Sequence, residues 1–231
     1  MLKPLVSIII PVYNGSDYLK EAIDSALAQT YDKIEVIVIN DGSTDSGATE
    51  KIAKSYGSRI QYFYKTNGGV SSALNYGINI SKGDYISWLS HDDVLLPSMI
   101  QSQIDFHVRY GNKIIIYGEA DYIDEKGHKI GELKLPDTDP NHFFYHLVAG
   151  RIFSKPWKSQ VFVANGCTML FPKEVFQTVG LFNEERKVTQ DYEMWILMNE
   201  KYDFILSHEP YILSRKHGKA GSIIMSDQMK V

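Results

Sequence analysis

The chain has 231 residues, 44% hydrophobic and 23% charged, with a formal net charge of −4 at pH 7. That length suits one large domain or two small ones with a sizeable core, and the composition excludes a disordered chain. The negative balance argues against a nucleic-acid binder living on phosphate contacts. A single cysteine, Cys167, excludes an intramolecular disulfide and fits a reducing compartment. No signal-peptide pattern precedes the first predicted strand, and no apolar run approaches the roughly 18 residues of a membrane span, so a soluble cytoplasmic protein is expected.

Leu5 to Ile10 is a continuous apolar run broken only by Ser7 and closed by Pro11, the pattern of a strand buried on both faces of a parallel sheet. Ser16 is placed to cap a helix from about Asp17 to Gln29, where Leu19, Ile23, Ala26 and Leu27 share one face. Ile34 to Ile39 is a second strand, ending in the turn formers Asn40 to Asp45, and a helix over roughly Ser46 to Tyr56 follows. A third strand, Ile60 to Tyr64, leads through Lys65-Thr66-Asn67-Gly68-Gly69 to a helix near Ser71 to Ile80. A fourth, from Asp84, ends in Ser90-His91-Asp92-Asp93. Alternating strands and helices imply right-handed crossovers and a parallel sheet whose ligand site lies at the carboxyl ends of the strands.

The second half is less regular. Pro97 opens a helix to about Tyr110, Ile114 to Tyr117 is a strand, and Tyr122 to Gly127 reads as a strand entering a hairpin turn. Pro136 to Pro140 is linker-like, Asn141 to Ala149 a helix, and Arg151 to Gln160 a basic, aromatic loop. Asn165 to Phe171 reads as a strand, Glu174 to Thr178 as a short helix, and Asp191 to Lys201 as a helix with Trp195 and Met198 toward the core.

Four polar clusters, Pro11-Val12-Tyr13-Asn14, Asn40-Asp41-Gly42-Ser43, Lys65-Thr66-Asn67 and Ser90 to Asp93, therefore face one sheet edge. An isolated Asp-Asp pair is most often a cap beside a solvated carboxylate. Converging with three other loops, Asp92 and Asp93 become candidates for a divalent cation, which would relieve their mutual repulsion. The Gly-x-Gly-x-x-Gly loop of a dinucleotide site is absent after the first strand, so a diphosphate would need neutralising by the metal and Lys65.

Pro11-Val12-Tyr13-Asn14, Tyr18-Leu19, Glu21-Ala22-Ile23, Gln29-Thr30-Tyr31, Asp41-Gly42-Ser43-Thr44-Asp45, Asn67-Gly68-Gly69, the Asp92-Asp93 cluster before Pro97, Gly180 to Glu184 and Gln190 to Trp195 together resemble the family 2 inverting glycosyltransferases. The resemblance covers nearly the whole chain. It implies an α/β GT-A fold: a Rossmann-like, mostly parallel central sheet flanked by helices, with a smaller mixed acceptor-side half. Residues 1–231 would form one domain, 1–98 holding the nucleotide sugar and 99–231 the acceptor and catalytic base. Tyr13 would stack on the nucleotide base and Asp41 accept from its ring N–H, with Pro11, Val12 and Asn14 around them. Lys65 and Asn67 would approach base, ribose or phosphates, although a lysine at a strand end is as often a surface residue.

The family's metal motif is usually Asp-x-Asp, and here Ser90 holds its first position. Ser90 can hydrogen-bond ribose but brings no charge, so Mn or Mg would rest on Asp92, Asp93, the diphosphate and water. His91 reads as structural. By the resemblance Asp191 is the base, although a carboxylate there also looks like a helix cap with a pKa lowered by the dipole. Gln190 stands where the family more often has Glu. Arg215 and His217, in Ser214-Arg215-Lys216-His217-Gly218, would pair phosphate or, for His217, ligate the metal, unless the segment is a solvated basic tail. Gly166, Cys167 and Thr168 would line the acceptor side, Cys167 as packing and not as nucleophile. His142 and His146 have helical spacing but lack the glutamate of a zinc-peptidase motif.

The implied activity is metal-dependent, inverting transfer from a nucleotide diphosphate sugar, a UDP-sugar expected, to a hydroxyl of a glycan or lipid-linked glycan in cell-surface polysaccharide synthesis. Arg151 to Lys158 suggests peripheral contact with anionic lipid on the inner membrane face, against the plainer reading of a solvated loop. The rival readings are a sugar-nucleotide nucleotidyltransferase, which should carry a Gly- and Arg-rich first loop, and a non-catalytic nucleotide-sugar binding module.

Overall fold

A computed structural model describes residues 3–135, 165–186 and 190–218. The chain opens with β1 (Val6–Val12), α1 (Leu19–Leu27), β2 (Ile34–Asp41), α2 (Ala48–Lys54), β3 (Gln61–Lys65), α3 (Val70–Ile80) and β4 (Tyr85–Trp88). These four strands are parallel in the order β3-β2-β1-β4, with β1 central. Ile8, Ile9 and Ile10 are fully buried, which is why β1 reads as an unbroken apolar run.

The one polar residue in that run is satisfied beneath the sheet. Ser7 Oγ donates to Glu35 Oε1 at 2.6 Å and accepts from Gly83 N–H, while Glu35 also receives Lys82 N–H at 2.6 Å and Gln61 Nε2 at 2.7 Å. Two predicted helix starts differ in detail. Ser16 does not cap α1; the Tyr18 and Leu19 N–H groups both donate to the Gly15 carbonyl, so a backbone turn replaces the side-chain cap. Asp45 does serve α2, its Oδ2 accepting from the Thr49 N–H and hydroxyl.

The chain continues as β5 (Val94–Leu95), α4 (Met99–Tyr110), β6 (Ile114–Ile123), β7 (Lys129–Leu133), β8 (Phe171–Pro172), α5 (Glu174–Val179), α6 (Gln190–Asn199) and β9 (Asp203–Arg215). A second sheet runs β5-β9-β6-β7, with β6 and β9 parallel and its other pairs antiparallel. β8 joins the first sheet antiparallel to β4, and the Leu170 N–H donates to the Ile116 carbonyl of β6, bringing the two sheets edge to edge. Sequence reasoning divided β6 into two pieces and did not foresee β9. Both errors have one cause: the register shifts beside Gly118 and Glu119, opposite Pro210. A proline argues against a strand interior, but a bulge absorbs the missing donor.

The predicted strand from Asn165 to Phe171 is corrected. Asn165 Oδ1 accepts from Cys167 N–H and the Asn165 carbonyl accepts from Thr168 Oγ1, closing a 3₁₀ turn over Gly166–Thr168 and leaving only Phe171–Pro172 in the ladder. Trp195 and Met198 of α6 are buried as expected. The predicted linker Pro136 to Pro140, the helix Asn141 to Ala149 with His142 and His146, and the loop Arg151 to Gln160 lie outside the described residues.

Burial opposes the charge on Glu35, but hydrogen bonds from Ser7, Lys82, Gln61 and Gly83 outweigh it and hold its pKa below the ordinary carboxylate range. Its contribution is therefore present above the unfolded-state pKa of about 4.3 and lost as pH falls through the lower folded value. Glu35→Ala should cost about 1–3 kcal/mol at pH 7, with the deficit narrowing toward pH 3 in urea unfolding. A deficit independent of pH would contradict the assignment.

Candidate active site

The carboxyl ends of β1, β2, β3 and β4 open on one edge, and the loops there are laced together before any ligand arrives. Pro11 and Val12 finish β1, and Asn14, in the left-handed region at φ 50°, turns the chain. The Asn14 N–H donates to Ser43 Oγ at 2.9 Å and the Thr44 N–H to Asn14 Oδ1 at 2.7 Å, tying the first loop to the second. Tyr13 is left 46% exposed, a ring with a face available for stacking.

Asp41, at the end of β2, is nearly buried. Its Oδ1 accepts from Lys65 Nζ at 2.7 Å and Gly68 N–H at 3.1 Å, and its Oδ2 from Gly69 N–H at 2.7 Å. A carboxylate offers about four acceptor positions, so room remains for one further N–H. Lys65 spends its charge on Asp41 and its remaining reach on the Thr66 carbonyl, so its position matches a support for the loop more than a direct phosphate ligand. Gly42, at φ 75°, leaves no space for a Cβ, which would sit 2.6 Å from the exposed Asn67's backbone nitrogen.

After β4 the turn closes through Asp93 N–H on the Ser90 carbonyl. The two adjacent carboxylates divide. Asp92 Oδ2 lies 2.9 Å from His217 Nε2. Asp93 is buried, its Oδ1 accepting the Arg215 N–H at 2.8 Å, and burial, reinforced by the Asp92 charge, pushes its pKa up to about 7. This corrects the expectation that both ligate a metal: Asp93 is turned into the protein. His91 packs against Gly15, as a structural residue would.

Arg215 requires a second correction. Its Nε donates to the Asp92 carbonyl, Nη1 to the Asp124 and Glu125 carbonyls and Nη2 to Glu21, and its guanidinium lies 4.5 Å from the Tyr18 ring centroid. With its side chain 2% exposed, it is committed to the fold and not held out toward a diphosphate. Sequence reasoning missed the roles of Tyr18 and Glu21, although both lie in the run that carried the family resemblance. The Tyr18 ring also meets His217 at 5.1 Å, so one aromatic side chain packs against both Arg215 and His217.

Gly166, Cys167 and Thr168, expected to line the acceptor side, form the floor beneath the Ser90–Asp93 turn. Gly166 lies against the Trp88 ring with no room for a side chain. Cys167 Sγ accepts from Ser90 N–H at 3.3 Å and lies 3.4 Å from Ser90 Oγ. Thr168 is fully buried, accepting the Gly118 N–H on its hydroxyl and Gln103 Nε2 on its carbonyl.

Asp191 stands in the first turn of α6, its Oδ1 accepting from Tyr192 N–H. Burial dominates over that bond and raises its pKa, against the lowering expected from the helix dipole alone. A carboxylate held above its ordinary range is suited to taking a proton.

For a divalent cation, Asp92 and His217 offer an oxygen and a nitrogen side by side, at present hydrogen-bonded to each other at 2.9 Å. Among the described residues no three His, Cys, Asp or Glu side chains gather into a metal cluster. The residues fit an ion that completes its shell with phosphate oxygens and water, the habit of Mg and similar hard cations.

The family described as Glycosyl transferase family 2 matches residues 7–180. An uncharacterized glycosyltransferase of Rickettsia felis is 46% identical over 224 residues, 95% of this chain and 35% of that protein. A chondroitin synthase of Pasteurella multocida is 32% identical over 200 residues, 85% of this chain and 19% of that one. The chain thus spans about a third or less of the length of these relatives. Among solved structures, the Staphylococcus aureus TarS 1–349 complex with UDP-GlcNAc superposes with a TM-score of 0.71 at 18% identity, covering 94% of this chain and 60% of that one. A mannosyltransferase from Pyrobaculum calidifontis in complex with GDP-Man and Mn2+ gives 0.65 at 16%, covering 95% and 59%. At such identities the likeness establishes the fold, which is GT-A.

Cys167 is 4% exposed and burial pushes its thiol up to about 12. Maleimide should therefore label it only as fast as the protein unfolds, the rate climbing with urea alongside loss of tertiary signal. Rapid labelling of the native protein would contradict the packing described.

Proposed function

The chain belongs to glycosyl transferase family 2, and from that premise we propose that it is a metal-dependent inverting glycosyltransferase. It moves a sugar from a nucleotide diphosphate donor, a UDP-sugar by this reading, to a hydroxyl of a glycan or lipid-linked glycan in cell-surface polysaccharide synthesis. The observation that carries the reading is the convergence of four pre-laced loops at the carboxyl ends of parallel strands, with Asp41 at one end and the Asp92–His217 pair at the other. The chondroitin synthase relative favours a glycan product, and the UDP-GlcNAc complex of the TarS neighbour favours uridine. The two halves, 1–98 for the donor and 99–231 for acceptor and base, act in this reading as one domain.

Tyr13 stacks on the base and the remaining acceptor position of Asp41 takes a base N–H, with Asn14 and Asn67 closing the rim. Ser90, whose hydroxyl lies 3.4 Å from the Cys167 sulfur, brings no charge to the ribose side of the turn. Asp92 and His217 hold Mn or Mg, which when bound neutralises charge on the departing diphosphate. Asp191 takes the proton from the acceptor hydroxyl as its oxygen attacks the anomeric carbon. The bond from that carbon to the diphosphate breaks on the opposite face, and the diphosphate leaves with the electron pair.

A donor screen by released nucleoside diphosphate, with and without Mn, tests the reading directly; no nucleotide sugar bound or turned over would end it. Asp191→Asn should lower transfer by about 10²- to 10⁴-fold while leaving nucleotide affinity nearly intact. Because the base must be ionised, the acid limb of kcat/KM should fall above the ordinary aspartate range near 3.9, activity being lost as pH drops through the raised value. An acid limb unchanged in Asp191→Asn would sink the base assignment. With Asp92 the sole carboxylate available to it among the described residues, Mn should bind weakly by calorimetry without nucleotide and at least tenfold more tightly with UDP present; tight binding to the free protein would count against this set of ligands.

A further inference from the structure

Asn75 lies in the middle of α3, buried at 5% exposure, where an asparagine weakens the helix because its amide competes with backbone bonding. Its amide is fully turned toward a segment more than a hundred residues away. Nδ2 donates to the Phe182 carbonyl at 2.8 Å and to Glu184 Oε1 at 2.9 Å, and Oδ1 accepts the Phe182 N–H at 2.9 Å. One side chain thus pairs both backbone groups of Phe182, as a neighbouring strand would.

The two ends of this connection are the two halves of the candidate site. α3 begins at the Gly68-Gly69 turn that Asp41 holds. Phe182 is buried with its ring edge-on to Trp88, 5.5 Å between centroids, and Trp88 is the last residue of β4 before the Ser90–Asp93 turn. Downstream, Asn183 Oδ1 takes the Glu185 N–H, and Arg186 forms an ion pair with Glu193, two residues from Asp191 on α6.

We propose that Asn75 is a positioning residue for the transfer step: by fixing the Leu181–Glu184 segment against the donor-side helix, it sets where α6 presents the Asp191 carboxylate. The proposal rests on the reading of Asp191 as base given above. Asn75 touches neither donor nor acceptor, and its effect passes through Phe182 and Glu184.

Asn75→Asp keeps size and removes the amide donors, setting a carboxylate against the Phe182 carbonyl and Glu184. The expected result is a fall in kcat of about 10- to 100-fold, since an ångström of misplacement costs on that order. UDP affinity and donor KM should stay within about twofold. Glu184→Gln added to Asn75→Asp should recover part of kcat, because the new amide donates where two carboxylates repelled. Wild-type kcat in Asn75→Asp, or UDP affinity lost in parallel with kcat, would overturn the proposal. If the wild type transfers from no donor, it is the reading of the activity that fails. The mechanical part is then judged by hydrogen exchange: Asn75→Ala should deprotect residues 181–186 and the first turn of α6 and spare β1 and β2. Unchanged protection there would overturn it on its own.

Discussion

The structure turns on the burial of the Arg215 guanidinium. Removing that charge from water is costly, and the cost is met only because three backbone carbonyls, the Glu21 carboxylate and the Tyr18 face surround it. Those partners come from the Ser90–Asp93 turn, the β6–β7 hairpin and α1, so no one of them can shift without stranding a buried cation. The same residue donates its backbone N–H to Asp93. The end of β9 is thereby locked beneath the turn that follows β4, and His217, two residues on, arrives opposite Asp92 as a consequence.

That lock explains why two carboxylates adjacent in sequence take different tasks. Asp93, buried and bonded to the Arg215 backbone, completes the fold, whereas Asp92 keeps an oxygen directed at His217. Ser90 fits the same logic. Its N–H and hydroxyl face the Cys167 sulfur, a weak and neutral partner whose thiol is held protonated. A carboxylate at that position would set a charge against this buried, unionised thiol. The departure from the family motif and the buried cysteine are thus two halves of one local solution.

The first half of the fold was legible because each of its elements obeys a local rule. β1 and β2 are apolar on both faces, and the turn formers after each strand mark the edge where ligands bind. The second half depends on pairings that no local rule encodes. β9 contains Pro210 and charged residues because a bulge against β6 absorbs them, and Asn165 closes a turn where apolar neighbours suggested a strand. Within the candidate site, Asp41, Asp92, Asp191 and His217 could be named as candidates from motif positions. What Arg215, Asp93 and Thr168 do could not be, since side-chain direction and burial are set by contacts across fifty or more residues of sequence. The direction of the Asp191 pKa has the same origin: its place at a helix start predicts one sign and its burial produces the other.

The lacing of the Asn14, Thr44, Gly68 and Gly69 backbones has a thermodynamic consequence for recognition. These groups have already surrendered their conformational freedom in the free protein, so gripping a nucleobase there requires little further ordering. The opposite end is not so prepared, because Asp92 and His217 are hydrogen-bonded to each other and would have to separate to admit the proposed ion. The cleft is therefore unequal along its length: a rigid end at the Asp41 loops, and an adaptable end at Asp92 and His217 where, under the proposed reading, the entropy of binding and with it the rate of release would be decided.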